Sequence, residues 1–189
     1  MREPRGRGMR YRLLETVREY GLERLAEAGE VELLRDRHRT AFLALAEREA
    51  ARLESPRQAE AVALLEPDAA NLTAALDHAL QTDPEAALRM CAALYPFWRG
   101  RGRFAEAELA QTRALAAGAD APPSLRARVL VTAAMRCVVT GDAAGARALA
   151  TEALALVGCE AAVAAGEVDV DVGHVGEGYG RPTAAATEA

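Results

Sequence analysis

Two glycines 39 residues apart, Gly102 and Gly141, are followed by alanine at the same two distances. Ala107 and Ala114 stand five and twelve positions after the first, and Ala146 and Ala153 stand five and twelve after the second. Each glycine also separates an apolar stretch of helical spacing (85–99 and 125–139) from an alanine-rich one (103–117 and 143–157). Small residues at fixed helical positions mark where two helices approach most closely, since a larger side chain would force them apart. Glycine permits the tight turn between them. The composition agrees: 45 of 189 residues are alanine and only 4% are aromatic, and alanine favours helices while being depleted from strands. An all-α fold of antiparallel helical hairpins is predicted, stacked as a repeat array.

The same composition closes off several kinds of chemistry. Lysine and isoleucine are absent, and arginine supplies all 23 positive charges. The chain therefore has neither a Schiff-base lysine nor the lysine of a phosphate-binding P-loop. A net charge of −5 argues against a general nucleic-acid-binding surface. Three cysteines, Cys91, Cys137 and Cys159, are too few and too scattered for a disulfide framework or a zinc site. Cys91 and Cys137 lie in apolar helical patterns, which predicts buried, reduced thiols. No apolar run has the length of a membrane span and no signal peptide opens the chain, so a cytoplasmic setting is expected.

Along the chain, residues 1–8 ("MREPRGRG") are basic, rich in Gly and Pro, and expected to be a disordered arm. "MRYRLL" (9–14) is expected to form a short strand leading into a helix with Leu14, Val17, Gly21 and Leu25 at helical spacing, ended by Gly29. Together 9–29 form a first unit and 30–158 the helical hairpins. A second helix, Glu30 to Arg52, carries Leu34, Ala41, Phe42 and Leu45 on one side. Ser55, Pro56 and Gln58 predict a capped restart. Pro67 breaks the chain before a helix with a Leu72, Ala75, Leu76, Ala79 stripe. Asp83 and Pro84 cap the next helix, which Pro96 should kink or end. Residues 159–189 are glycine- and acid-rich without helical periodicity, and are expected to be a disordered, low-complexity tail.

No catalytic, cofactor or metal residue is predicted. Asp169, Asp171 and Gly173 hint at a calcium loop, but its twelfth position is Gly180 where a bidentate acid is required. Gly176, Gly178 and Gly180 lack the flanking strand and helix of a dinucleotide loop. His38 and His78 belong to no zinc-binding pair. Ser55 and Ser124 stand beside prolines at helix starts, where caps explain them, and neither lies in a nucleophile elbow. Arg99, Arg101 and Arg103 make a basic cluster at a hairpin turn, either a solvated face or a contact for an acidic partner.

The register of the two glycines resembles the tetratricopeptide repeat, whose period is about 34 residues, with the loop "GADAPPS" (118–124) inserted. Trp98 takes the aromatic position before Gly102, while Cys137 replaces it in the second unit; Gln111 and Ala150 stand where the second helices would carry a large aromatic. A plain helical bundle would share the helix alternation. "RYRLLETVREYGLERLAEAGE" (10–30) closely resembles the close of the winged-helix part of STAND-type signalling ATPases, including LuxR-type and AfsR-like transcriptional regulators of high-GC bacteria. "RHRTAFLALAE" (37–47), "NLTAALDHAL" (71–80) and "FWRGRGRFAEA" (97–107) follow in that family's order. The family's P-loop domain is missing from this sequence, so the resemblance implies a piece: the linker helix and the start of a sensor array, without ATPase residues. It implies a non-enzymatic protein-interaction module, with Tyr95, Trp98, Arg99 and Arg103 as contact residues for a protein partner. Core packing is the competing role for Trp98. The alternatives are DNA binding through the arginines at 2, 5, 7, 10 and 12, which the lack of a recognition helix disfavours, or the product of a broken gene without an independent role.

Overall fold

The two glycines turn the chain where their register predicts. The computed structural model describes residues 2–5, 8–11 and 14–158. Two short strands, β1 (Arg2–Arg5) and β2 (Gly8–Tyr11), pair antiparallel with Arg2 opposite Tyr11; they fall on the segments expected to be an arm and a strand. The helices follow in order: α1 (Glu15–Ala28), α2 (Val31–Leu53), α3 (Gln58–Leu65), a 3-10 turn (Glu66–Asp68), α4 (Ala69–Thr82), α5 (Pro84–Gly100), α6 (Phe104–Ala117), α7 (Pro123–Thr140) and α8 (Ala143–Val157). The expected tail, with its candidate calcium and glycine loops, and Cys159 lie outside the described residues.

Gly102 sits between α5 and α6, and Gly141 between α7 and α8, both in left-handed backbone at φ 66° and 84°. All four alanines of the register are buried: Ala107, Ala114, Ala146 and Ala153. The fold is thus an all-α array in which the α5–α6 hairpin stacks on α7–α8 through α5–α7 and α6–α7 contacts. Nothing lies within 4 Å of a Cβ built on Gly141, so alanine there meets only backbone strain. Gly141→Ala is expected to lower unfolding free energy by about 1–2 kcal/mol, read from urea unfolding with the denaturant slope unchanged.

α5 is the centre of the molecule. It packs on α2, α4, α6 and α7 and buries Leu88, Met90, Cys91, Leu94, Tyr95, Phe97 and Trp98, as the broad apolar surface of this helix requires. Its start matches the sequence reading. Asp83 Oδ1 accepts the Ala86 N–H at 3.0 Å and Pro84 opens the first turn. Of the two effects expected of Pro96, ending the helix does not occur: α5 runs through Pro96, itself buried, to Gly100. The proline removes one N–H from the helix, but Tyr95, Phe97 and Trp98 around it are all held in the core, and that packing keeps the chain helical.

α4 buries the predicted stripe Leu72, Ala75, Leu76 and Ala79, and Gly29 closes α1 in left-handed backbone. α2 departs from expectation. Its inward residues are Leu43, Ala46, Glu49 and Leu53, while Leu34 and Ala41 are exposed and Phe42 and Leu45 only partly buried. The cause is Glu49, a buried carboxylate that an apolar pattern could not register; it accepts from Arg48 Nε at 3.1 Å and Arg52 Nη1 at 2.8 Å. Ser55 does not cap α3, which begins at Gln58 behind Arg57. Its hydroxyl instead donates to the Arg52 carbonyl and accepts the Arg57 N–H, closing the end of α2.

Candidate functional site

The residues singled out by sequence converge on the turn of the α5–α6 hairpin, but they do not share one surface. Tyr95 is 1% exposed and Trp98 7% exposed. Both are buried among α2, α4, α6 and α7, the helices packed on α5, so the two aromatics present almost no outward contact area. Arg99 and Arg103 reach the surface. The Arg99 guanidinium lies over the Tyr95 ring, 5.7 Å from its centroid, and Arg103 lies over Phe97 at 5.5 Å. These aromatics therefore serve as platforms for the arginines.

The arginine cluster meets its acid within the chain. Glu66, on the turn after α3, takes Arg103 Nη2 at 2.5 Å on one carboxylate oxygen and Arg101 Nε at 3.0 Å on the other. Arg103 also lies 3.9 Å from Glu106. Arg99 stands one turn earlier, with a ring face beneath it and no carboxylate partner among the described residues. The hairpin turn is thus tied to α3 by two ion pairs, leaving Arg99 as its freest cation.

A second polar cluster lies between the hairpins. Gln111, 1% exposed, donates to Thr132 Oγ1 at 3.1 Å, and its carbonyl oxygen accepts from Arg136 Nε at 3.2 Å. Arg136 also faces Glu108 at 3.4 Å. The position where the repeat would carry a large aromatic holds instead a polar clasp joining α6 to α7. Beside it the Tyr95 hydroxyl is buried with no hydrogen-bond partner among the described residues. Burial pushes its phenol pKa up against the opposing charges of Arg99 and Arg136.

The histidines are not brought together as a site. His78 Nε2 lies 2.9 Å from Asp36 Oδ1, and His38 packs on Phe42 with ring centroids 4.5 Å apart. The His78–Asp36 pair continues through Arg39, 3.6 Å from Asp36 and paired with Asp83, so one chain of polar contacts links α2, α4 and the start of α5. Burial alone would raise the Asp83 pKa. The Ala86 N–H and the Arg39 side chain outweigh it and hold the carboxyl below its ordinary value. The unfolded chain therefore takes up this proton first as pH falls. Asp83 contributes its full stabilisation above the ordinary aspartate range, about pH 4, and loses it on acidification. Asp83→Ala is expected to cost about 1 kcal/mol at neutral pH through the lost cap, and the difference from the natural protein should shrink toward pH 3 in denaturant titrations.

Both thiols are free and buried. Burial pushes Cys91 up to about 12 and raises Cys137 as well, so neither is a nucleophile near neutral pH. Among the described residues no group of three or more His, Cys, Asp or Glu side chains could hold a metal ion, and no helix is long and apolar enough to cross a membrane. Sequence reasoning missed the Glu66 clamp, the Gln111 clasp and the Asp36–His78–Arg39–Asp83 chain. Each joins different elements, so no local spacing announces it.

No known family profile matches the chain, and no solved structure matches it. Half of it is similar to proteins named "Putative HTH-type transcriptional regulator" from Mycobacterium bovis and from two strains of Mycobacterium tuberculosis. Each is 39% identical over 101 residues, 51% of this chain and 11% of the regulator. The chain therefore spans about a tenth of the length of these relatives, and the similarity supports a relationship to transcriptional regulators.

Proposed function

We propose that this chain is a non-enzymatic interaction module of a transcriptional regulator, a stack of helical hairpins that receives a protein partner or holds the regulator's other domains. The reading extends to a STAND-type parent whose nucleotide-binding domain is missing from this sequence, acting in the cytoplasm. The observation that supports it best is the repetition of one hairpin in a 39-residue register, each copy sealed by buried alanines. Stacked hairpins create extended surfaces suited to binding other chains, and half of the sequence resembles named regulators.

Contact would centre on Arg99, held over Tyr95 at the mouth of the first hairpin, with Arg103 beside it and Trp98 packed behind; an acidic segment of the partner fits this charge. Affinity capture with the purified chain, quantified against Arg99→Glu, tests it. A protein enriched by the natural chain and lost with the variant supports the reading. A DNA complex in a low-salt mobility-shift titration, or capture that does not distinguish the two proteins, overturns it.

A further inference from the structure

Where α7 packs on α5, a buried donor bonds nothing. Tyr95 is buried, and its hydroxyl has no hydrogen-bond partner among the described residues. Buried polar groups are normally bonded, so each exception asks for an explanation. Burial raises the phenol pKa and keeps the group a protonated donor at neutral pH, while the charges of Arg99 and Arg136 both oppose that rise. Two guanidinium groups from different helices thus lie near enough to act on one unpaired hydroxyl.

The two arginines are not equally committed. Arg99 lies over the Tyr95 ring, 5.7 Å from its centroid, and has no carboxylate partner among the described residues. Its neighbours Arg101 and Arg103 differ, since Glu66 takes both. Arg136 is held more firmly. Only 11% of its side chain is exposed, its Nε donates to buried Gln111 at 3.2 Å, and it faces the carboxylate of Glu108 at 3.4 Å. The Glu108 side chain is 61% exposed. An ion pair with so open a partner contributes little, so Glu108 keeps its place on Arg136 weakly.

We infer that Arg99, Arg136 and the Tyr95 hydroxyl form a subsite for one carboxylate of an acidic peptide, which displaces Glu108 from Arg136, bridges the two guanidinium groups and accepts from the hydroxyl. Glu108 supplies the argument for a carboxylate over other anions. The group now facing Arg136 is one, and so is the Glu66 group that takes the other arginines of the same turn. Guanidinium forks match carboxylate oxygens in geometry as well as charge. The hydroxyl is buried in the unliganded chain, so binding includes a turn of Arg99, a neighbour held by a ring face and by no carboxylate. The inference rests on the reading of Arg99 as the contact for an acidic partner, and adds the atoms that hold the acid.

Titration of the purified full chain with a blocked tetraglutamate peptide tests it, at low salt and neutral pH, followed by calorimetry and by the arginine Nε–H resonances. The Arg99 and Arg136 resonances are expected to shift together and to saturate. Arg99→Gln and Arg136→Gln should each weaken binding about tenfold or more, as loss of a hydrogen bond to a charged group does. Tyr95→Phe, which keeps the ring, should weaken it about threefold. Glu108→Gln should strengthen it by up to about fivefold, because the internal competitor is gone; a purely structural role for Glu108 predicts no such gain. Arg113→Gln, whose partner is Asp77 on α4, should leave it unchanged. The subsite is overturned by a titration that does not saturate, by inorganic phosphate binding more tightly than the peptide, or by unchanged affinity in Glu108→Gln or Tyr95→Phe. If Arg136→Gln fails to fold through loss of its bond to Gln111, Glu108→Gln at its exposed position still decides. Binding weakened by Arg99→Gln alone overturns the subsite but keeps Arg99 as the partner contact, whereas binding indifferent to Arg99→Gln removes both.

Discussion

Phe97→Ala is expected to destabilise the protein by about 3–5 kcal/mol, a large share of the roughly 5–15 kcal/mol that holds an ordinary domain together. Phe97 is 2% exposed on the helix against which α2, α4, α6 and α7 all pack. Its removal opens a cavity that α5 cannot close without disturbing α4 and α6 together. It also takes away the ring beneath Arg103, loosening the pair with Glu66 that fastens the hairpin turn to α3. Two residues away, Tyr95→Phe should behave in the opposite sense. The Tyr95 hydroxyl is buried without a partner among the described residues, and an unpaired buried hydroxyl costs about 1–3 kcal/mol. Deleting it keeps the ring under Arg99 and should leave stability unchanged or higher. Urea unfolding of both variants, with unchanged denaturant slope, measures the contrast. A marked loss for Tyr95→Phe would show that the hydroxyl is bonded in solution.

The two hairpins were readable because their signals are local. A glycine in left-handed backbone, alanines at fixed distances after it, and an Asp-Pro start all act within a turn or two of themselves. Gly102, Gly141, Asp83 and the α4 stripe accordingly stand where the sequence puts them. α2 was harder because its inner face includes Glu49, admitted to the core by Arg48 and Arg52 of the same helix. A pattern that scores carboxylates as surface shifts that face toward Leu34 and Ala41. Pro96 does not end α5 for a related reason: the buried contacts of Tyr95, Phe97 and Trp98 around it outweigh the one missing N–H.

Around the candidate site the sequence carried the residue types but not their directions. Tyr95 and Trp98 have the composition of contact residues and of core residues alike. Only the packing of the other helices around α5 decides between these roles, and it leaves both rings buried. The acid that answers Arg101 and Arg103 is Glu66, on an element separated from them by two helices. Nothing in the spacing of either group announces the other. Gln111 is the sharpest case. In the linear repeat it is a departure from an expected aromatic, yet in the fold it is a buried amide bonded on both sides, which makes the departure a substitution of one inter-hairpin contact for another.

Ala114→Phe is the second change expected to have a large effect, about 3 kcal/mol or more, the upper end for overpacking a core. Ala114 is fully buried in the α5–α6 interface. Its carbonyl accepts the Gly118 N–H at 2.8 Å, and Gly118 passes so near α5 that an added Cβ would lie 2.6 Å from Leu88 Cδ1. The end of α6 is therefore pinned just where a phenyl ring would have to push it away, and α7 closes the other side through Gln111 and Thr132. Ala153 occupies the same position in the second hairpin and is also buried, but no further helix backs α8 among the described residues. Ala153→Phe can move α8 outward at the expense of one interface, so its cost should be nearer 1 kcal/mol. Paired denaturant titrations of the two variants compare one substitution at equivalent sites of the repeat. Equal losses would mean that α8 is as firmly held as α6, with a partner on its outer face doing the holding. Unequal losses assign the difference to the neighbours of each helix, since the alanines themselves are the same.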